Sequence, residues 1–162
     1  ITARSHPESA PPDARGVIGH ARSSDLIQWE VLPPLTPPGE FGHMEVPQLV
    51  HINDRYYLLF SVPHAYYADT RKTRLADQLV TGTHYLVADD PLGPYRYLTD
   101  EFLVGDYAET LYSGKLIQGP DDRWYFLAFA NFDADGAFVG DLSDPLPVEV
   151  HADGRLSVYR SG

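Results

Sequence analysis

Apolar residues in this chain fall in short runs with alternation at every second position, and helical spacing is almost absent. The runs are rich in Val, Ile, Tyr and Phe and are separated by Gly, Pro, Asn and Asp, a pattern that reads as all-β. It predicts strands over 16–22, 28–32, 46–52, 55–61, 82–88, 95–98, 113–118, 123–130, 138–142 and 156–159. Residues 1–4 also read like the inside of a strand. Tight hairpins are expected at Asn53-Asp54 and over 119–122, with a third turn at Asp153-Gly154. The polar stretch 67–79, with Arg71, Lys72 and Arg74, predicts a loop, with or without a turn of helix.

The runs repeat. Asp54-Arg55-Tyr56-Tyr57-Leu58-Leu59-Phe60 recurs one unit later as Asp122-Arg123-Trp124-Tyr125-Phe126-Leu127-Ala128-Phe129. A corner motif, Ser24-Asp25-Leu26 followed by Trp29, is echoed by Asp89-Asp90-Pro91-Leu92 followed by Tyr95, and again by Ser143-Asp144-Pro145-Leu146. Each unit reads as two long strands joined by a hairpin, a third strand, an Asp-containing corner and an outer strand bearing an aromatic. Repeated four-stranded units indicate the blades of a β-propeller. A β-sandwich also has regularly spaced short strands, but gives no reason for a repeated corner.

Composition narrows the picture. At 162 residues, one domain could bury roughly 70 % of its unfolded surface. A hydrophobic content of 43 %, with 11 Tyr, 7 Phe and 2 Trp, excludes a disordered chain. The net charge of −11 disfavours nucleic acid and anionic membrane surfaces as partners. Without cysteine there is no disulfide, thiolate metal site or cysteine nucleophile, and the compartment is left open. No run approaches the ~18 apolar residues of a membrane span.

The chemistry centres on Glu45, in Phe41-Gly42-His43-Met44-Glu45-Val46-Pro47-Gln48-Leu49-Val50. A carboxyl group set among apolar neighbours such as Phe41, Met44, Val46 and Pro47 favours its proton, as a general acid requires. The plainer alternative is a strand-opening glutamate with its head in solvent.

Several stretches together resemble glycoside hydrolase family 32, the invertases, levanases and inulinases. Residues 16–29, ending in Ser24-Asp25-Leu26-Ile27-Gln28-Trp29, resemble that family's second-blade pattern. Met44-Glu45-Val46-Pro47-Gln48-Leu49 is similar to its Glu-Cys-Pro-Asp motif, with Val46 at the cysteine position and Gln48 at the aspartate position. Asp106-Tyr107 and Leu111-Tyr112-Ser113-Gly114-Lys115 resemble the fourth-blade stretch lining the sugar site. Ser143–Val150 and Asp153-Gly154-Arg155-Leu156 resemble the end of the catalytic propeller.

The resemblance implies an all-β, five-bladed propeller of glycosidase type, of which residues 1–162 would supply a partial domain of about three blades. The first blade and part of the second would be absent, and the natural N-terminus would lie upstream of Ile1. It implies hydrolysis of terminal fructosyl linkages, of sucrose or fructan type, by a retaining mechanism without a cofactor. Glu45 would be the general acid/base, and Asp106, Tyr112 and Lys115 would lie near the substrate. Asp25 and Trp29 read as structural, a corner-capping carboxylate and an outer-strand aromatic that packs blades.

Retaining hydrolysis also needs a nucleophilic carboxylate about 5–5.5 Å from the first. The family's Trp-x-Asn-Asp-Pro and Arg-Asp-Pro motifs do not occur here. This chain alone is therefore expected to be inactive. Rival readings are a catalytically silent carbohydrate-binding or interaction propeller, and a related propeller glycosidase acting on arabinosyl or xylosyl linkages. The expected partner is a carbohydrate, and bare blade faces predict pairing with a second copy or with a complementing N-terminal segment. The seven histidines (His6, His20, His43, His51, His64, His84 and His151) lack metal-ligand spacing, so surface or blade-face roles are expected. Asp133-Ala134-Asp135-Gly136 starts like a calcium loop but lacks its later positions, which favours a tight turn.

Overall fold

The computed structural model describes residues 1–76, 78–133 and 135–159. At the N-terminal end, β1 (Thr2–Arg4) pairs with β2 (Gly16–Ile18), and β3 (His20–Arg22) with β4 (Glu30–Leu32). The run expected as one strand over 16–22 is therefore two. The break is at Gly19, whose N–H donates to Ile1 O at 2.7 Å while the Ile1 ammonium donates to Gly19 O at 3.0 Å. Asp25 caps its corner as expected, accepting from the N–H groups of Ile27 and Gln28 at 2.9 and 2.8 Å. Trp29 departs from expectation. It is 55 % exposed and does not pack blades, its indole N–H donating instead to Leu26 O at 3.3 Å.

The central unit is a four-stranded antiparallel sheet in chain order: β5 (Glu45–Ile52), β6 (Arg55–Val62), β7 (Thr81–Ala88) and β8 (Val104–Asp106). Between β6 and β7 a seven-residue helix, α1 (Asp69–Leu75), occupies the stretch predicted to be a loop. The strand expected over 95–98 reduces to one bridge, Arg96 to Val87. Tyr95 and Tyr97 leave the ladder to pack against the core, Tyr95 donating its hydroxyl to Pro91 O at 2.7 Å.

The second unit repeats the first. Strand β9 (Leu111–Gln118) pairs with β10 (Trp124–Phe132). On its other side β10 carries β11 (Phe138–Leu142) along its C-terminal half and β12 (Leu146–Val150) along its N-terminal half, and β13 (Leu156–Val158) closes on β12. Together β11 and β12 take the place of β7, and β13 that of β8. The Ser143-Asp144-Pro145 motif therefore interrupts a third strand, where the repeat predicted a corner leading to an outer strand. Ser143 is the cause: its N–H donates to Ala128 O at 2.8 Å and its hydroxyl accepts from Ala128 N at 3.1 Å. Those bonds keep the chain against β10 on both sides of the break. The three expected turns join β5 to β6, β9 to β10 and β12 to β13. Ala134, in the expected tight turn, lies outside the described residues.

Alternation along β6 and β7 sends side chains to both faces of the central sheet. Leu58, Phe60, Val62, Leu86 and Ala88 join Ile18, Phe41 and Met44 on one side. Tyr57, Leu59, Tyr85 and Val87 join Leu116, Phe126 and Leu156 on the other. Two hydroxyls pin the second interface, Tyr57 donating to Gly154 O at 3.0 Å and Tyr85 accepting from Leu156 N at 3.0 Å. Gly154 has φ +91, and a Cβ there would strike the Arg55 guanidinium. This stacking of one antiparallel sheet on the next, with an apolar cluster between them, is the arrangement of β-propeller blades.

The first interface is clamped by Arg71, which is fully buried. Its guanidinium meets Glu40 Oε2 at 2.7 Å and Asp100 O at 2.9 Å, and lies 4.7 Å from the Phe41 ring centroid. Arg74 binds the same Glu40 at 2.6 Å. Burial works against the Glu40 charge, but hydrogen bonds from Arg74 and Arg71 outweigh it and hold the carboxyl below its ordinary value.

His84 is buried beside this clamp, between Phe102, Tyr97 and Phe60. Neither ring nitrogen has a hydrogen-bond partner among the described residues. Burial, aided by the Arg71 charge, pulls its imidazole down to about 3 from 6.5. The unfolded chain then binds the extra proton below pH 6.5, so this group's stabilisation is complete above that pH and declines as pH falls toward 3. Between neutral pH and about pH 5 the loss from this residue should reach about 2 kcal/mol. His84→Phe, which replaces unpartnered nitrogens with carbon, should flatten that dependence in urea titrations at the two pH values. An unchanged acid slope would contradict it.

Candidate functional site

Glu45 is the first residue of β5, the edge strand of its sheet. The register slips between Glu45 and Gln48, and the next residue, Val46, adopts φ +44. A β-branched residue in the left-handed region is a true conformational outlier, and such strain is retained where the surroundings fix it. Strand β9 behaves alike. Tyr112 is followed by Ser113 at φ +57, with a register slip opposite, between Leu127 and Phe129 of β10.

These two kinks face each other. The Tyr112 hydroxyl donates to Glu45 Oε2 at 2.7 Å, and His43 Nδ1 lies 3.5 Å from Glu45 Oε1. His43 is stacked on Tyr66 with centroids 4.2 Å apart. The Glu45 side chain is 34 % exposed. The apolar setting expected for it is thus corrected: Phe41 and Met44 turn into the core, and the carboxylate itself meets a phenol and an imidazole. Met44, just before the strand, is buried while Glu45 at its head is one-third exposed, so neighbours in sequence are not neighbours in space.

Beneath the pair, Ser61 and Thr83 hydroxyls lie 3.0 Å apart, and Thr83 Oγ1 accepts from Gly114 N at 2.9 Å. A Cβ at Gly114 would collide with the Phe126 ring and Thr83 Oγ1, so only glycine permits this approach. Lys115 sends its ammonium to backbone, to Val46 O at 2.6 Å and Gly114 O at 3.3 Å. Burial lowers its basicity below that of an ordinary lysine. Asp106 ends β8, where its carboxylate accepts from the Thr110 N–H at 3.0 Å and also from the Thr110 hydroxyl. The structure therefore joins Glu45 with Tyr112 directly, ties Lys115 to the residue after Glu45, and sets Asp106 at the turn leading into β9.

Sequence reasoning missed His43, Tyr66 and a second polar group. In that group His64 Nδ1 lies 3.0 Å from both Glu109 Oε1 and Thr81 Oγ1, and Tyr107 stacks on the imidazole at 5.4 Å. The Thr81 hydroxyl also donates to Glu109 Oε1 at 3.0 Å. The only signal for His43 was its place two residues before Glu45, a spacing that extended backbone turns to one side. Among the described residues no group of three His, Asp or Glu is placed to hold a metal ion, and no helix is long and apolar enough to cross a membrane.

No protein-family model matches the chain. A levansucrase of Erwinia amylovora is 30% identical over 135 residues, 82% of this chain and 28% of that protein. The crystal structure of levansucrase from Gluconacetobacter diazotrophicus superposes with a TM-score of 0.75 at 17% identity, over 94% of this chain and 34% of that one. An inulosucrase from Halalkalicoccus jeotgali bound to kestose superposes with a TM-score of 0.68 at 23% identity, over 92% of this chain and 41% of that one. The chain spans less than half the length of each. These likenesses establish the propeller fold, in the company of fructan-acting enzymes, and do not single out family 32.

The part-buried contact between Tyr112 and Glu45 makes a spectroscopic prediction. Burial first, then the hydrogen bond and charge of Glu45 and the charge of Glu109, push the Tyr112 phenol well above the ordinary tyrosine range. Ultraviolet titration of the native protein and of Tyr112→Phe should therefore give the same phenolate absorbance up to about pH 11, one unit beyond an ordinary tyrosine. An extra tyrosine ionising near pH 10 in the native protein alone would contradict the Glu45–Tyr112 geometry.

Proposed function

We propose that this chain carries the proton-transfer half of a propeller enzyme that moves fructosyl groups, to water or to another sugar. The observation that carries the proposal is the carboxylate of Glu45, at the head of an edge strand, part-exposed and held by the Tyr112 hydroxyl. The propeller shared with levansucrases and an inulosucrase, and the 30% identity to one levansucrase, support a fructosyl substrate. In this reading Glu45 protonates the leaving-group oxygen and later deprotonates the attacking water or sugar hydroxyl. Tyr112 orients the carboxylate, and His43 flanks it on the open side. Asp106 shapes the turn that delivers Tyr112. The family-32 resemblance enters here as the hydrolytic variant of the same chemistry, with water as acceptor.

The chain is proposed to work within a five-bladed propeller whose other blades supply the nucleophilic carboxylate, for which the sequence offers no motif. The exposed apolar residues of β11, Phe138, Val139 and Leu142, are where further blades or a second copy would pack.

On its own the chain should release no glucose from sucrose, since one carboxylate cannot form the covalent intermediate. In a complete enzyme containing it, Glu45→Gln should lower kcat by about 10²–10⁴-fold, with the smallest loss for substrates whose leaving group needs no proton. Wild-type turnover in that variant would end the assignment of Glu45.

A further inference from the structure

Glu45 and Tyr112 hold equivalent places in successive units, 67 positions apart. Each is followed by a left-handed residue, Val46 or Ser113. Three positions beyond each stands a side chain that reaches across to the other strand's backbone. Gln48, after Glu45, behaves as an extra rung between β5 and β9: its Nε2 donates to Leu116 O at 2.9 Å and its Oε1 accepts from Leu116 N at 2.8 Å. Lys115, after Tyr112, donates to Val46 O at 2.6 Å. Together they form a reciprocal clasp, in which each unit's third position grips the strand of the other.

The grip falls where it matters most. Val46 is the residue least suited to a left-handed conformation, and its carbonyl is the group that Lys115 holds. Gly114 O also takes the ammonium at 3.3 Å, so both contacts given to Nζ are backbone carbonyls. If Val46 relaxed to extended backbone, the bulge would unwind and the side chain of Glu45 would rotate to the other face of β5.

We propose that Lys115 is a positioning residue that locks Val46 in its left-handed state and thereby holds the Glu45 carboxylate on the Tyr112 hydroxyl; it does not contact substrate. Its relevance to turnover rests on Glu45 being the proton donor, but the geometric claim can be tested without it.

The test is a double-mutant cycle read by denaturant unfolding of the chain itself. Tyr112→Phe deletes the hydroxyl bound to Glu45 and should lower the folding equilibrium constant about tenfold in the native background. In a Lys115→Met background the same change should cost less than about twofold, because the carboxylate has already left. Lys115→Arg, which keeps a long cationic donor, should restore most of the tenfold effect. Lys115→Gln, too short to reach Val46 O, should behave as the Met variant and serves if the latter does not fold. Equal factors in all backgrounds would mean that Lys115 supports the blades without positioning Glu45. In a complete enzyme, Lys115→Met should lower kcat with KM for sucrose little changed; a raised KM at unchanged kcat would instead mark Lys115 as a substrate contact. Failure of Glu45→Gln to affect turnover would overturn the catalytic reading, whereas the coupling between Lys115 and Tyr112 would stand or fall on the unfolding data alone.

Discussion

The structure depends on one constraint: the central sheet is apolar on both faces. Along β6 and β7 successive side chains feed two separate clusters, and every residue of β7 is buried. Such a sheet cannot border water on either side, so it requires a packed layer before it and another after it. The N-terminal strands with Phe41 and Met44 supply one layer, and β9–β13 the other. Stacking sheets in sequence, each presenting its first strand at the same edge, brings β5 and β9 side by side. The meeting of Glu45 and Tyr112 follows from that arrangement.

At that edge the backbone is bent out of regular geometry in both strands. A regular ladder would alternate side chains to the two faces of each blade and leave none directed along the sheet edge. The register slips at Val46 and Ser113 re-aim one side chain from each strand, a common use of bulges beside functional groups. Strain and chemistry thus occur in adjacent residues because each kink exists to redirect its neighbour.

How far the residues announced this varies with the physics involved. Long paired strands such as β6 and β10 were legible because alternation, aromatics and hairpin turns agreed. The three residues Val104-Gly105-Asp106 carry too short a pattern to register, and Pro147 disguised β12, since proline is admitted only at strand starts, edges and bulges. Glu45 stood out by local context, yet for a mistaken reason, because Phe41 and Met44 point away from it. Tyr112 came from resemblance alone. His64, Thr81 and Glu109 come together through turns and inter-strand register, which leave no spacing signal in a single sequence.

The Arg71 clamp has a consequence for the order in which the chain assembles. A seven-residue helix is far below the length at which isolated helices persist in water. Its anchor partners lie far from it in sequence, Glu40 before β5 and Asp100 in the connection between β7 and β8. Holding both against α1 requires Phe41 in the core and β7, which leads to Asp100, beside β6. The connector between β6 and β7 is therefore coil through most of folding and gains its helix only when the carboxylates that hold it have arrived. It is a latch set by the finished sheet rather than a seed from which the sheet grows.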